Sequence, residues 1–414
     1  MTFPFIHTSV TAGSRNPASS FINTRIESID VLRGLIMIIM ALDHTRDFFH
    51  AQAYTDDPLN LDTTTPVMFV TRWITHFCAP TFALLCGTSI YLQGLRKSRS
   101  ELSLFLLKRG LWLIVAEVLL IAPADTFTLF NPITLVVFWS LGISMVFMAG
   151  LTWLPFRAIL SIGLAIVLGH NLLDAVEQGS GFTSGFWWAL FHGGDHRVLE
   201  YAPGRAVVVL YPFLPWLGLM MLGYCLGRLF EPAVSDRKRQ QWLVYLGAGA
   251  IGLFVVLRWL NGYGDPFSWS VQKDGLTTLF SFLKVHKYPP SLLYMCITVG
   301  PGLLGLALLE NVHNRVTGVL RTYGRTAFFY YTIHFYVLHT LRMIVFFAAG
   351  HTMMEADKSL QIIPMRFVLP GDGGYNLGVV YLIWIAVVAS LYPLCRWFDA
   401  YKTTHKEQWW LSYL

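Results

Sequence analysis

Asp30, Arg33, Asp43, His44, Arg46 and Asp47 stand in the stretch from Ser28 to His50, which is otherwise apolar enough to cross a membrane. Charged groups in a lipid-spanning helix are expensive, so they face protein or a water-filled cavity and mark a functional path. A helix turns about 100° per residue, which leaves Arg33 and His44 only about 20° apart on one face. Asp30, Met37, Met40 and Asp47 fall within about 60° of the same stripe. Carboxylates, a guanidinium and an imidazole so aligned can relay protons or bind a solute, which is the chemistry of a secondary transporter. They can equally hold a ligand. At about 1.5 Å rise per residue Arg33 and His44 are roughly 16 Å apart along the axis, so one ligand touches both only if it is long.

Further chemistry-bearing residues cluster in later segments. A second apolar run opens with Arg72 to Pro80 and brings His76 to about the depth of His44; Pro80 should kink that helix and free backbone carbonyls nearby. Gly87, Thr88 and Ser89, deeper in the run, read as close helix packing. Lys287-Tyr288-Pro289-Pro290-Ser291 precedes another run, with prolines where a first helical turn tolerates them. Tyr323-Gly324-Arg325 is followed by an aromatic stretch that carries His334, His339 and Arg342. The His192-Gly193-Gly194-Asp195-His196 segment reads as a solvated turn in preference to a metal site. Cys78, Cys86, Cys225, Cys296 and Cys395 have neither CxxC nor Cys/His spacing, so no disulfide or metal is expected.

The elements that must position these groups are membrane helices. With 414 residues, 55% hydrophobic and 13% charged, the chain lies outside the soluble range and is expected to be an all-α polytopic membrane protein. Apolar runs at about 30–50, 67–93, 103–121, 129–150, 153–172, 205–230, 241–260, 290–310, 321–348 and 376–398 give about ten spans. An eleventh would need Gly185 to Gly193 or Gly275 to His286, both short and better suited to interfacial or re-entrant segments. A flexible cytoplasmic segment 1–27, one integral-membrane domain 28–400 and a cytoplasmic tail 401–414 are expected. Residues 1–27 lack the apolar core of a signal peptide, so the first span should double as the insertion signal. Of the 30 Lys and Arg residues, 18 gather on one side of this topology and 6 on the other, which puts both termini in the cytoplasm and the longer loops, about 173–204, 261–289 and 349–375, outside. The net charge of +6 then reflects basic loops meeting anionic lipid and requires no nucleic acid. No internal repeat suggests inverted halves, and no Walker motif, GxGxxG after a strand or GxSxG elbow is present.

Arg25, Ser28-Ile29-Asp30, Arg33-Gly34 and Asp43-His44 resemble the opening of the heparan-α-glucosaminide N-acetyltransferase-like membrane proteins, in particular a bacterial branch. Pro80 to Ser89, Lys287 to Ser291, Tyr323-Gly324-Arg325 and the Phe329-to-His334 run continue the resemblance through most of the chain. The spacing from Arg33 to His44 is also similar to the motif of wider transmembrane acyltransferases that decorate surface glycans. The resemblance implies transfer of an acyl group from cytoplasmic acetyl-CoA to an amine or hydroxyl of a sugar or glycan across the membrane, with no metal. It would place the enzyme in a bacterial inner membrane, with a homodimer among its assemblies. It further implies a catalytic group of His44, Asp47, Asp43 and His76, and contacts to coenzyme A from Arg33, Lys287, Tyr323, Arg325 and His334. In the lysosomal branch the catalytic histidine lies just beyond this helix, which keeps His50 and His76 as rivals to His44. Asp47, one turn on, can orient the His44 imidazole, whereas Asp43 points about 100° away and is better placed to hold Arg46 or Arg72. Arg33 has two readings, a coenzyme A contact or an arginine neutralised by Asp30.

Overall fold

Helix α1, Glu27–Phe49, runs through the middle of the molecule and is buried along most of its length. Its dipole is matched by Glu27 and Asp30 in the first turn and Arg46 in the last. The computed structural model describes residues 25–179, 181–193, 198–371 and 373–412. Most of the expected N-terminal segment, the Asp195-His196 half of the glycine-rich motif and the last two residues of the tail therefore lie outside the described residues.

The remaining helices are α2 Pro66–Thr75, α3 Cys78–Gly94, α4 Arg99–Ala116, α5 Ala122–Thr126, α6 Val137–Leu151, α7 Phe156–Gly169, α8 Leu172–Glu177, α9 Phe186–Phe191, α10 Phe213–Leu226, α11 Asp236–Leu260, α12 Gly275–Leu283, α13 Leu292–Leu309, α14 Arg315–Arg325, α15 Ala327–Ala348, α16 Met353–Ile362 and α17 Leu377–Thr404. Local chemistry sets many of the starts. Ser98 with Glu101 and Asn314 with Thr317 form capping boxes, and Ser291 and Asn376 cap α13 and α17. Six helical units, 66–94, 213–230, 236–260, 292–309, 327–348 and 377–404, are long and apolar enough to cross a membrane. Helices also stand at the other four expected positions, but α6 and α7 are shorter and α1 and the α4–α5 unit carry more charge.

Three expectations need correction. The run expected at 205–230 begins as a strand, β3 Arg205–Val209, and turns helical only after Pro212. β3 pairs in parallel with β1, Ile133–Leu135, and antiparallel with β2, Val198–Ala202, so a small sheet interrupts the all-α picture. β1 likewise delays the fourth run, whose helix begins at Val137. β-branched residues in both segments suit a paired strand as well as a span. The second run breaks at His76 and Phe77, ahead of Pro80. Proline has no N–H to offer the carbonyl four residues earlier, and the freed His76 carbonyl accepts the Tyr294 hydroxyl at 2.9 Å.

Two glycine contacts fix the packing around α1. An added Cβ at Gly34 would stand 1.8 Å from the Leu320 carbonyl oxygen, and one at Gly324 would stand 1.8 Å from that of Asp30. α1 and α14 therefore touch backbone to backbone. Gly87 and Gly223 do the same for α3 and α10, with 1.9 and 2.1 Å to the carbonyls of Met220 and Leu84, and Thr88 donates to Gly223 O at 3.0 Å. Neither backbone can yield locally, so Gly34→Ala or Gly324→Ala should lower stability by about 1–3 kcal/mol or more, read as an earlier unfolding midpoint in detergent; Gly150→Ala, where nothing lies within 4 Å, should leave the midpoint in place.

Candidate functional site

Asp43 is the hub of one charged cluster at the C-terminal end of α1. Its carboxylate accepts Arg72 Nη1 at 2.5 and 2.7 Å, Arg46 Nη2 lies 3.0 Å away and Lys287 Nζ 3.8 Å away. Asp47 pairs with its neighbour Arg46 at 2.6 Å and therefore does not orient His44. That role falls to His334 on α15. His334 Nδ1 lies 3.0 Å from the Tyr330 carbonyl, to which it must donate, so its Nε2 is an acceptor. His44 Nδ1, 2.7 Å from that Nε2, must then carry the hydrogen. Neutral His44 is left with a lone pair on Nε2, which makes no hydrogen bond among the described residues. The ring is partly exposed and rests against Phe335, with centroids 4.2 Å apart.

The rival histidines are placed differently. His50 Nδ1 accepts the Gln52 N–H at 3.1 Å, so the neutral ring carries its hydrogen on Nε2 and has no lone pair to offer there. Burial, with Arg46 adding to it, holds the His50 imidazole below its ordinary range. His76 is 2% exposed, with Nδ1 buried and unpartnered among the described residues. Of the three, His44 alone combines a fixed tautomer, a free acceptor nitrogen and access.

Arg33 belongs to a second cluster, at the other end of α1. It donates to Asp30 at 2.9 Å and to the Ser89 hydroxyl at 3.2 Å, so Ser89 does more than pack. Asp30 also takes the Arg25 guanidinium. Both clusters flank cavities. The one beside Arg33 has a volume of about 920 Å³ and is lined by Arg25, Arg33, Arg96, Lys97, Arg109, Arg325, Lys402 and Lys406 against only Asp30 and Asp399. Its lining also includes the apolar Leu113, Phe138, Leu141, Met145 and Phe328. From there Phe138 meets Tyr331 at 4.6 Å between centroids, and Tyr331 meets His44 at 5.8 Å. A smaller cavity of about 230 Å³ lies beyond His44, lined by Arg46, Asp47, His50, Tyr54, Asp57 and Arg72 among others.

Of the residues expected to contact coenzyme A, Arg33 and Arg325 line the large cavity, Arg325 held by Asp399 at 3.0 Å. Lys287 sits instead beside Asp43, His334 beside His44, and Tyr323 is buried with its hydroxyl on the Val388 carbonyl at 2.6 Å. Arg342 and His339, both inside α15, clasp loop carbonyls: Arg342 those of Phe367 and Gly373 at 2.9 and 2.6 Å, His339 those of Ala124 and Arg366 at 2.9 and 2.8 Å. Sequence reasoning read Arg96, Lys97, Arg109, Lys402 and Lys406 for orientation alone; their crowding near one set of helix ends was the available signal. It also passed over Glu117, fully buried at a π-helical turn, whose Oε2 accepts the Trp139 N–H at 2.9 Å.

Residues 25–256, more than half of the chain, match the family model described as heparan-alpha-glucosaminide N-acetyltransferase, catalytic. No curated protein matches the chain.

Removing one partner from a buried ion cluster leaves the others uncompensated, at a cost of about 3–5 kcal/mol. Asp43→Ala should accordingly unfold earlier in detergent by an amount of that order. Asp57→Ala, which loses an exposed contact to Lys284 and a turn hydrogen bond from the Leu59 N–H, should shift the midpoint far less, by about 1 kcal/mol or below.

Proposed function

The chain belongs to the heparan-α-glucosaminide N-acetyltransferase catalytic family, and on that premise we propose that it moves an acetyl group from cytoplasmic acetyl-CoA to an amine or hydroxyl of a sugar on the far side of the membrane, with His44 as general base. The observation that carries this reading is the large basic cavity, whose apolar lining reaches His44 through Phe138 and Tyr331. Phosphates favour a lysine- and arginine-rich wall, and a pantetheine arm favours an apolar lining. The roughly 16 Å between Arg33 and His44 suits a donor that is charged at one end and reactive at the other.

In the step itself the acceptor nitrogen or oxygen attacks the thioester carbonyl carbon while its proton passes to His44 Nε2. The tetrahedral adduct then expels the coenzyme A thiolate, which takes the proton back from the His44 imidazolium and leaves as the thiol, returning His44 to its neutral form. His334 accepts the His44 Nδ1–H and steadies the imidazolium while it lasts. Asp43, already engaged by Arg72 and Arg46, holds the helix end and Lys287 in place and takes no proton.

This reading comes with a topology. Ten spans, made by adding α1, the α4–α5 unit, α6 and α7 to the six long apolar helices, put both termini and the basic cavity on the cytoplasmic side by the distribution of Lys and Arg. The smaller cavity beyond His44 then faces the acceptor. A bacterial inner membrane suits that arrangement.

The test is transfer from labelled acetyl-CoA to an amino sugar in proteoliposomes. A general base contributes about 10²–10⁴-fold, so His44→Ala and His44→Gln should each lose turnover on that scale while still binding coenzyme A. Arg33→Ala should weaken coenzyme A binding and keep residual turnover at saturation. Transfer that survives in both His44 variants but collapses in His76→Ala or His50→Ala would move the base, and solute uptake without acetyl-CoA would favour a transporter.

A further inference from the structure

Far along the chain from these charges, two buried histidines face each other at the junction of α7, α8 and α9. His170 caps α7 and is 3% exposed; His192 follows α9 and is fully buried. His170 Nδ1 and His192 Nε2 lie 3.4 Å apart, with Asp174 Oδ1 4.0 Å from the same His192 nitrogen. On the far side of the His192 ring, Nδ1 stands 2.8 Å from Glu177 Oε1, which also accepts the Trp188 indole N–H at 2.7 Å. We propose that His170, His192 and Asp174 bind a divalent transition-metal cation of the zinc type, with Glu177 as the carboxylate that orients His192.

Distance and tautomer carry the assignment. The hydrogen-bonded histidine pair at His44 and His334 closes to 2.7 Å, whereas this pair stays at 3.4 Å. Two nitrogens each about 2.0–2.1 Å from a tetrahedral ion are about 3.3–3.4 Å apart, so the wider spacing is that of two ligands on one centre. Glu177 fixes the hydrogen of neutral His192 on Nδ1, which leaves the Nε2 lone pair pointing at the shared position. A carboxylate behind a ligating imidazole is the usual outer partner of a metal-bound histidine. Asp174 is itself positioned, because Asn171 Nδ2 donates to its other oxygen at 2.7 Å. Asp174, Glu177 and His192 bring ligand atoms within 4.8 Å of one another, and a bound ion would draw Asp174 Oδ1 in from 4.0 Å.

Two imidazoles and one carboxylate suit zinc or a neighbouring first-row ion and disfavour magnesium and calcium, which prefer all-oxygen sites. Three protein ligands leave a fourth position for water or an incoming group.

The site has a structural consequence for the rest of the fold. Asn171 Oδ1 accepts the Leu292 N–H at 2.8 Å, joining the cluster to the first turn of α13 directly after the Lys287-to-Ser291 segment. A cation there would tie that segment, and with it Lys287 beside Asp43, to the loop that carries His192. The proposal is independent of the acyl-transfer reading.

The experiment uses the full chain in detergent without a polyhistidine tag. Elemental analysis after gel filtration should find about one zinc-type ion per chain, and adding zinc to chelator-treated protein should raise its melting temperature. Both effects should vanish in His170→Gln and His192→Gln, and Glu177→Gln should weaken zinc binding by about 10–100-fold. Should the histidine variants fail to fold, X-ray absorption of the zinc-loaded wild type decides the matter, with two histidine nitrogens and oxygen expected around the ion. Wild-type protein that neither retains metal nor responds to zinc, a zinc effect undiminished in folded histidine variants, or an absorption spectrum without histidine ligands would each overturn the assignment.

Discussion

A carboxylate or guanidinium inside a membrane-spanning helix is tolerated only where partners neutralise it, and α1 carries six of them along with a histidine. That requirement organises the helices around it. Arg72 from α2 and Lys287 from before α13 come in to Asp43, while Ser89 from α3 and the Gly324 carbonyl from α14 come in to Arg33. The glycine contacts between α1 and α14 serve the same end, since the Gly324 carbonyl reaches Arg33 at 3.4 Å only because the backbones touch. Buried ion clusters of this kind contribute little net stability, because desolvation offsets most of the attraction. Their effect is to fix which helices meet and in what register.

The two ends of α1 have different characters as a result. At the Asp43 end the charges are paired with one another, leaving His44 with an unengaged acceptor nitrogen in partly exposed surroundings. At the Arg33 end cations outnumber carboxylates around an open volume, so positive charge is left over for a ligand. A charged group can be left in surplus beside a water-filled cavity at far lower cost than in a dry core. Between the ends, Phe138 at the cavity wall packs on Tyr331, and Tyr331 packs on His44.

Much of this was legible in the sequence, because hydropathy and the 3.6-residue period act locally. A helix stands in each expected apolar run, although two of the runs begin as strands, and α1 stood out by its charges. Tertiary partners were less legible. The i,i+3 rule offered Asp47 to His44, yet Asp47 found Arg46 next door and His44 found His334, 290 residues away. Valine-rich Arg205–Val209 could serve as span or strand, and only pairing with β1 and β2 decided it. The basic cavity was hidden because Arg96, Lys97, Arg109, Lys402 and Lys406, which join Arg33 and Arg325 in its wall, come from separate stretches of chain and were read only as cytoplasmic charges. Pro80 was read correctly as a source of a free carbonyl, while the bond that takes up that carbonyl, from Tyr294, depends on a helix more than 200 residues later.

The central claim is that the surplus charge beside Arg33 holds the acyl donor with its reactive end toward His44. Density for coenzyme A bound to the purified protein tests it most directly. The account requires the phosphates among Arg33, Arg96, Lys97, Arg109 and Lys402 and the thiol at the Phe138 end, toward Tyr331. Phosphates found instead against Arg46 and Arg72 in the smaller cavity, or a thiol turned away from Tyr331, would contradict it.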